Sequence, residues 1–508
     1  PRQRRPSARP AVTTATARVL LEVYPGEIRR ALSDLAALLG TDTPAWVVGG
    51  AVRDALLGRP VTELDVAVRS GALALGRMLA ARMSGAFVVL DEARGMGRVV
   101  GPVQVDLGDF RAATLPEDLR ARDFTINALA VSVAALVANA SAAVIDATGG
   151  LGDLAARRIR LCAPSALSDD PVRVLRGVRL ALVPGWHLAA GVEMAARQAA
   201  PALVGVAAER IRDEIIALLA GSHAGRGLRM LDGLEAIPVL FPESAAMKVT
   251  LQPAPHRFDV WEHTLRAVAA MDLLVEDLDA LSPWGPELRA HLAEDLGDRL
   301  TRREALKLAA LLHDVAKPET RAFEDDQVRF IGHELLGAER ALAVSRRWRL
   351  SGRAVALLQR LVRQHLRPMH LAHAGTITRR ARHRFFRDLG DDARDLLLLA
   401  LADAAAVRGE SPLAVWEGPG GEVVRALMSG VAEERALAAQ PPLLRGEDVM
   451  EAFHLPPGPE VGRLLARARE AQALGLVTTR EEALALLHRG ADPAVGTHSG
   501  LDSPGESP

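Results

Sequence analysis

The apolar residues of this chain change their period once, and that change limits what it can fold into. Up to about residue 150 the segments alternate in type: 28–39 and 51–57 carry apolar residues at helical spacing, 45–48 reads as extended, and 61–68 and 102–107 place them at every second position. From about 151 onward almost every segment repeats at helical spacing, with breaks at Pro184, Pro238, Pro253 to Pro255, Pro283 to Pro286 and Pro441. The pattern predicts an α/β head followed by an all-helical remainder. With 508 residues the chain has length for roughly three to four domains of about 150 residues.

Charge excludes a globally basic nucleic-acid binder. Sixty-two Lys and Arg stand against 63 Asp and Glu, for a net −1, so any surface for a polyanion must be a local patch. The one cysteine, Cys162, rules out an intramolecular disulfide and a cysteine zinc site, which points to a cytoplasmic setting. The uncharged run 124–145 is long enough to span a bilayer, but it is rich in alanine and carries Asn127, Ser132, Asn139 and Ser141. We read it as soluble core, with no membrane association. The Arg-rich residues 1–17 and the Gly/Ser/Pro-rich residues 491–508 read as disordered tails.

Three short stretches of the head carry chemistry. Val47 and Val48 run into Gly49 and Gly50 and then into the helix that holds Arg53, a turn where backbone N–H groups approach an anion closely. In 61–68, Leu64, Val66 and Val68 share one face and Glu63 and Asp65 the other. Asp106 alternates in the same way with Val105 and Leu107. If the two strands are neighbours, three carboxylates converge beside the glycine turn. Hard oxygen ligands of this kind hold paired Mg²⁺ ions in phosphoryl and nucleotidyl transfer; the competing reading is a solvated polar sheet face.

The turn Gly49-Gly50-Ala51-Val52-Arg53-Asp54 followed by Glu63-Leu64-Asp65 resembles the polymerase-beta-like nucleotidyltransferases, specifically the class II tRNA nucleotidyltransferase and bacterial poly(A) polymerase family. Further blocks agree: Arg122-Asp123-Phe124-Thr125-Ile126-Asn127-Ala128 resembles the family's Arg-Arg-Asp-Phe-Thr-x-Asn-Ala, Asp169-Asp170-Pro171-Val172-Arg173 its Glu-Asp-x-x-Arg, and Ala208 to Glu214 a later block. Three positions depart from the pattern, namely Glu63 for the usual Asp, Ala121 for the first Arg, and Asp169 for Glu. The resemblance implies an α+β chain with a mixed-sheet head and all-α neck, HD-type and C-terminal domains. It implies addition of C and/or A to the 3′ end of tRNA from CTP and ATP, with Glu63 and Asp65 on Mg²⁺ and Asp106 helping to activate the hydroxyl. Partial addition of only CC or only A, and poly(A) synthesis, fit the same motifs. The family keeps a flexible base-switching loop between the positions of Asp65 and Asp106, whereas this chain reads there as a helix followed by 88–97, which leaves partial addition open.

Asp170 and Pro171 read as the cap and first residue of a helix that carries Arg173, Arg176 and Arg179. An Asp that accepts from an exocyclic amino group, beside an Arg that donates to a ring acceptor, suits cytosine or adenine. The resemblance assigns base reading to Asp170 and Arg173, nucleotide or triphosphate contacts to Arg122, Arg176 and Arg179, and the triphosphate end to Gly49, Gly50 and Arg53. The bland alternative is a capped helix with a solvated arginine face.

Nine of the 14 histidines fall between 251 and 410. The adjacent pair His313-Asp314 closes an apolar helix, and burying it is costly unless it binds something. The order of His263, His313, Asp314, His333, His365 and Asp403 resembles the HD phosphohydrolase superfamily. That resemblance implies His263, His313, Asp314 and Asp403 as core metal ligands, His333 and His365 as ligands of a second ion, and activity on 2′,3′-cyclic or terminal phosphates. Imidazole with carboxylate suits Mn, Fe, Ni, Co or Zn. Residues 441–488 resemble the family's tRNA-gripping tail, with Thr478 and Glu481 as a capping box, and the basic stretch 379–387 is a further phosphate-contact candidate. The division expected is head 18–155, neck 156–250, HD-type domain 251–410 and RNA arm 411–490. A rival reading makes the head a degenerate RNA-binding module and the HD-type domain the working enzyme. Nothing in the sequence fixes an oligomeric state.

Overall fold

The computed structural model describes residues 17–39, 44–324 and 327–489; the expected tails, 1–17 and 491–508, lie outside the described residues except for Ala17. The chain forms two compact units, residues 1–245 and 246–508.

The first unit is built on a seven-stranded mixed sheet. Its order is Ala86–Asp91, Met96–Val100, Gln104–Asp109, Glu63–Val68, Ala45–Val48, Leu129–Ser132 and Ile145–Asp146. Strand 45–48 is central and apolar on both faces, with Val47 and Val48 buried between antiparallel partners 63–68 and 129–132. The uncharged run is accordingly head core: Leu129, Ala130 and Val131 lie in a buried strand and Val133 and Leu136 in the helix behind it. Among the described residues no helix is long and apolar enough to cross a membrane. Strand 63–68 pairs parallel with 104–109, reached through the helix Ala72–Arg82 and the antiparallel hairpin 86–100. That helix lies close on the hairpin because Gly76 and Gly97 leave room for the Phe87 ring; a Cβ on either would come within 2.3 Å of it. Beyond the sheet, helices Arg173–Ala181 and Ala208–Leu219 pack together.

The capping expected at Asp170 is not what forms. Asp170 ends the short helix Ala166–Asp169, and the next helix begins at Arg173 after a tight turn closed by Arg173 N–H donating to the Asp170 carbonyl at 3.1 Å. The 3₁₀-like turn uses the backbone of Asp170, and its carboxylate turns to Arg210 at 2.7 Å.

Among its described residues the second unit is helical apart from the antiparallel strand pair Ala322–Glu324 and Gln327–Arg329. Asp259 caps Val260–Glu276 by accepting from Glu262 N–H at 2.7 Å, and a Thr301/Glu304 capping box opens Arg302–Leu312. These helices pack with Ala393–Arg408 over a leucine- and alanine-rich core. The last helices, Gly446–Phe453, Pro459–Ala473 and Arg480–Arg489, share a small core of Leu444, Val449, Val461, Val477 and Leu487. The capping box there lies one residue later than expected: Thr479 and Glu482 exchange reciprocal bonds at 3.2 Å, because Thr479 immediately precedes the first helical residue, Arg480.

The basic stretch 379–387 is largely neutralised. Glu470 accepts from Arg380 and Arg384 and lies 3.6 Å from Arg387, while Glu433 and Glu434 take Arg382 and His383. Arg379 donates to the carbonyls of Ala473 and Leu474 at the end of helix 459–473. The arginines clamp three helices together, and this use of their charge weighs against a phosphate-contact role.

Candidate active sites

In the first unit, strand register brings the acids together. Asp65 stands directly opposite Asp106, and Glu63 opposite Gln104, across the parallel pair. Gly49, at φ +73°, turns under Asp65 so closely that a Cβ would lie 2.9 Å from Oδ2. Burial, then the charges of Asp106 and Glu63, push the Asp65 carboxyl up to about 6 against the pull of Arg122 and Arg176. A carboxylate strained in this way is relieved by a cation between the acids, and an all-oxygen donor set fits Mg²⁺. Asp106 is engaged from its other side. Arg98, opposite it on the antiparallel strand, donates from Nε to Oδ1 and from Nη2 to Oδ2, both at 2.7 Å.

The expected nucleotide-binding residues lie nearby with their own partners. Arg53 donates to Asn127 Oδ1 at 2.6 Å and to both oxygens of Asp54. Arg122 is held by the buried Asp118. Arg173 donates to the carbonyl of Ala166 at 3.0 Å and lies 3.6 Å from Asp170. Arg176 bridges Glu214 at 2.8 Å and Asp123 at 3.0 Å, and Arg179 takes the other oxygen of Glu214 at 2.9 Å. Burial would raise Asp123, but the Arg176 charge and the Phe124 N–H hold it down at about 2. Arg176 and Arg179 therefore dock helix 173–181 onto helix 208–219, leaving Asp170 and Arg173 at its start. Sequence reasoning missed Arg98, Arg210 and Glu214. Arg98 had a signal, a lone charge alternating with Val99 in a short strand, whereas Glu214 and Arg210 had none beyond lying in a matched block.

In the second unit all six expected metal ligands converge. His263, His313 and Asp403 form one group able to hold an ion, and Asp314, His333 and His365 another. Asp314 links them: Oδ2 lies 3.4 Å from His263 Nε2 and 3.2 Å from His313 Nε2, and Oδ1 lies 3.4 Å from His333 Nε2 and 3.7 Å from His365 Nε2. His313, His333 and His365 each direct Nδ1 at the backbone carbonyl three residues earlier, at 2.9, 2.6 and 2.7 Å. A carbonyl only accepts, so in each neutral ring Nδ1 carries the proton and Nε2 presents a lone pair. Nε2 of His333 and His365 then face each other at 3.2 Å as two acceptors, an arrangement that a shared cation resolves. When a proton occupies the cluster in place of a cation, it resides on His313, and the His313 charge, with Lys317 at 2.7 Å from Asp314, then holds Asp314 and Asp403 well below the usual carboxylate range despite their burial. The N/O donor set fits one or two transition-metal ions.

A polymerase-type carboxylate cleft in a mixed-sheet head, joined in one chain to a helical histidine–aspartate centre, defines a nucleotidyltransferase with an HD domain. Family models match in that order: the poly A polymerase head domain at residues 45–160, the probable RNA and SrmB-binding site of polymerase A at 185–248, and the HD domain at 260–407. The chain is 35% identical over 461 residues to the A-adding tRNA nucleotidyltransferase of Deinococcus radiodurans, covering 89% of this chain and 97% of that protein. It is 36% identical to the CC-adding tRNA nucleotidyltransferase of Thermus thermophilus, over 88% and 94%. Among solved structures it resembles the apo form of a CCA-adding enzyme, with a TM-score of 0.59 and 19% identity over 94% of this chain and 98% of that one. It also resembles the Thermotoga maritima CCA-adding enzyme complexed with tRNA, with a TM-score of 0.55 and 19% identity over 94% and 100%. The chain belongs to the tRNA nucleotidyltransferase family.

Proposed function

We propose that the first unit adds C and/or A to the 3′ end of tRNA from CTP and ATP. The observation that carries this reading is the in-register placement of Asp65 and Asp106 beside the Gly49 turn, in a chain of this family. Mg²⁺ held by Glu63 and Asp65 would supply charge neutralisation for attack of the tRNA 3′-oxygen on the α-phosphorus and departure of pyrophosphate. Asp106 helps to take the hydroxyl proton, with Arg98 fixing its orientation. Gly49, Gly50 and Arg53 receive the triphosphate end, and Arg122 contacts the nucleotide. Asp170 accepts from the exocyclic amino group of C or A while Arg173 donates to the ring, each contact discriminating by about 1–3 kcal/mol. Arg176 and Arg179 contribute by holding this helix in place rather than by direct contact.

Within this activity, one observation favours partial addition. The stretch between strands 63–68 and 104–109, where the resemblance leads one to expect a flexible base-switching loop, is filled by a helix and a tight hairpin. Partial adders are also among the relatives that this chain covers nearly end to end. We place the reaction in the cytoplasm, consistent with the single cysteine. We divide the chain into head 18–155, neck 156–250, HD-type domain 251–410 and RNA arm 411–490. In the second unit the six-residue cluster would hold one or two ions of the Mn, Fe, Ni, Co or Zn type and act on 2′,3′-cyclic or terminal phosphates.

The test uses purified protein, Mg²⁺ and three tRNA transcripts that end before CCA, after CC, or complete, with CTP, ATP or both, resolved at single-nucleotide length. One or two added C residues, or a single A on the CC end, supports partial addition; both together mean full CCA synthesis, and long A tails mean poly(A) synthesis. Asp65→Ala is expected to abolish incorporation while leaving the fold intact. A fully active variant refutes the head mechanism, and phosphate release without any incorporation moves the function to the HD-type domain.

A further inference from the structure

Three histidines of the HD-type cluster have their outer nitrogen fixed by a backbone carbonyl; His263 does not. Its Nδ1 is buried and meets no hydrogen-bond partner. For a histidine that offers Nε2 to a metal, the outer N–H almost always finds an acceptor, and removing that acceptor typically weakens metal binding 10- to 100-fold. The neighbouring ring is that of His256, edge-on to His263 with centroids 5.1 Å apart and planes at 83°. His256 Nδ1 is likewise buried and without a partner. Two adjacent imidazoles thus each leave one buried nitrogen unmatched, and a neutral imidazole can donate from one nitrogen and accept at the other.

We propose that His256 is the outer partner of His263, accepting its Nδ1–H directly after a ring rotation or through one bridging water, and so fixing His263 Nε2 toward Asp314 and Asp403. His256 is a positioning residue; it belongs to neither group of metal-holding side chains. Its loop is anchored for this purpose, with His256 N–H donating to the Pro253 carbonyl at 3.1 Å and Val260 N–H to the Thr250 carbonyl at 3.0 Å.

This inference rests on reading the cluster as a metal centre, and the experiment separates the two. The full chain is stripped with chelator and titrated with Co²⁺, whose visible absorption reports nitrogen coordination, in wild type, His256→Phe, His256→Gln and His263→Ala. The expected result is that His256→Phe weakens Co²⁺ binding 10- to 100-fold, while His256→Gln, whose side-chain oxygen accepts the same hydrogen bond, stays within a few-fold of wild type. Nucleotide addition by the head, unchanged in the two His256 variants, verifies the fold. Wild-type binding in His256→Phe overturns the proposal, as does equal weakening in His256→Phe and His256→Gln, which would make the ring a packing element. Absence of nitrogen-coordinated Co²⁺ in wild type itself overturns the metal-centre reading and the proposal with it.

Discussion

Replacing Asp123 by asparagine tests whether the charge network under helix Arg173–Ala181 sets its stability. Asp123 is 6% exposed, and its pairing with Arg176 and the Phe124 N–H takes its carboxyl from 3.8 down to about 2. At roughly 1.4 kcal/mol per pH unit, that depression is a contribution of about 2–3 kcal/mol. It lies below the ~3–5 kcal/mol typical of breaking a fully buried pair, as expected when Arg176 is partly solvated and keeps Glu214 as a partner. The two units need not unfold together, so the suitable assay is segment-resolved hydrogen exchange on the full chain. Asp123→Asn should speed exchange of residues 115–132 and 173–181 roughly 30- to 150-fold, the factor equivalent to that free energy. Because the folded pKa is depressed, the contribution is complete above the unfolded value of about 3.9 and is lost as pH falls through about 2. The ratio between variant and wild type, corrected for intrinsic rates, should therefore be the same at pH 7 and pH 5 and shrink only below about pH 4. A change of less than about five-fold, or a ratio that differs between pH 7 and pH 5, refutes the reasoning.

Arg98→Met leaves Asp106 without its two 2.7 Å bonds, facing Asp65 and Glu63. The melting temperature in EDTA should fall, Mg²⁺ should raise it by more than in wild type, and nucleotide addition should weaken; an equal Mg²⁺ response in both proteins counts against a neutralising role for Arg98. Glu470→Ala removes the acid shared by Arg380, Arg384 and Arg387, whose exposure limits the loss to about 1–2 kcal/mol. Proteolysis should then reach helices 379–389 and 459–473 sooner, without tighter tRNA binding; a clear gain in affinity would instead mark these arginines as phosphate contacts.

The parts of the fold and site that are legible in the sequence are those written in short-range periodicity. Alternation in 61–68 and 102–107 places Glu63, Asp65 and Asp106 on one kind of face, and only the pairing of these strands, a contact some forty residues apart, remains to be supplied by the fold. What is not legible depends on which of several partners a charge chooses. Asp170 reads as a helix cap in isolation, yet Arg210, forty residues away, takes its carboxylate while a turn closes through its backbone. The arginines at 380, 384 and 387 read as a free basic face because Glu470 lies more than eighty residues along the chain. Nor does anything near Arg176 and Arg179 in sequence announce Glu214, the acid that both of them pair with. Sequence order is more informative in the histidine cluster. A buried lone pair demands a cation or a proton, and six such donors in one chain have few ways to be satisfied other than by meeting one another. The unmatched nitrogens of His263 and His256 extend that constraint by one residue: a centre that fixes its other outer nitrogens has reason to fix this one as well.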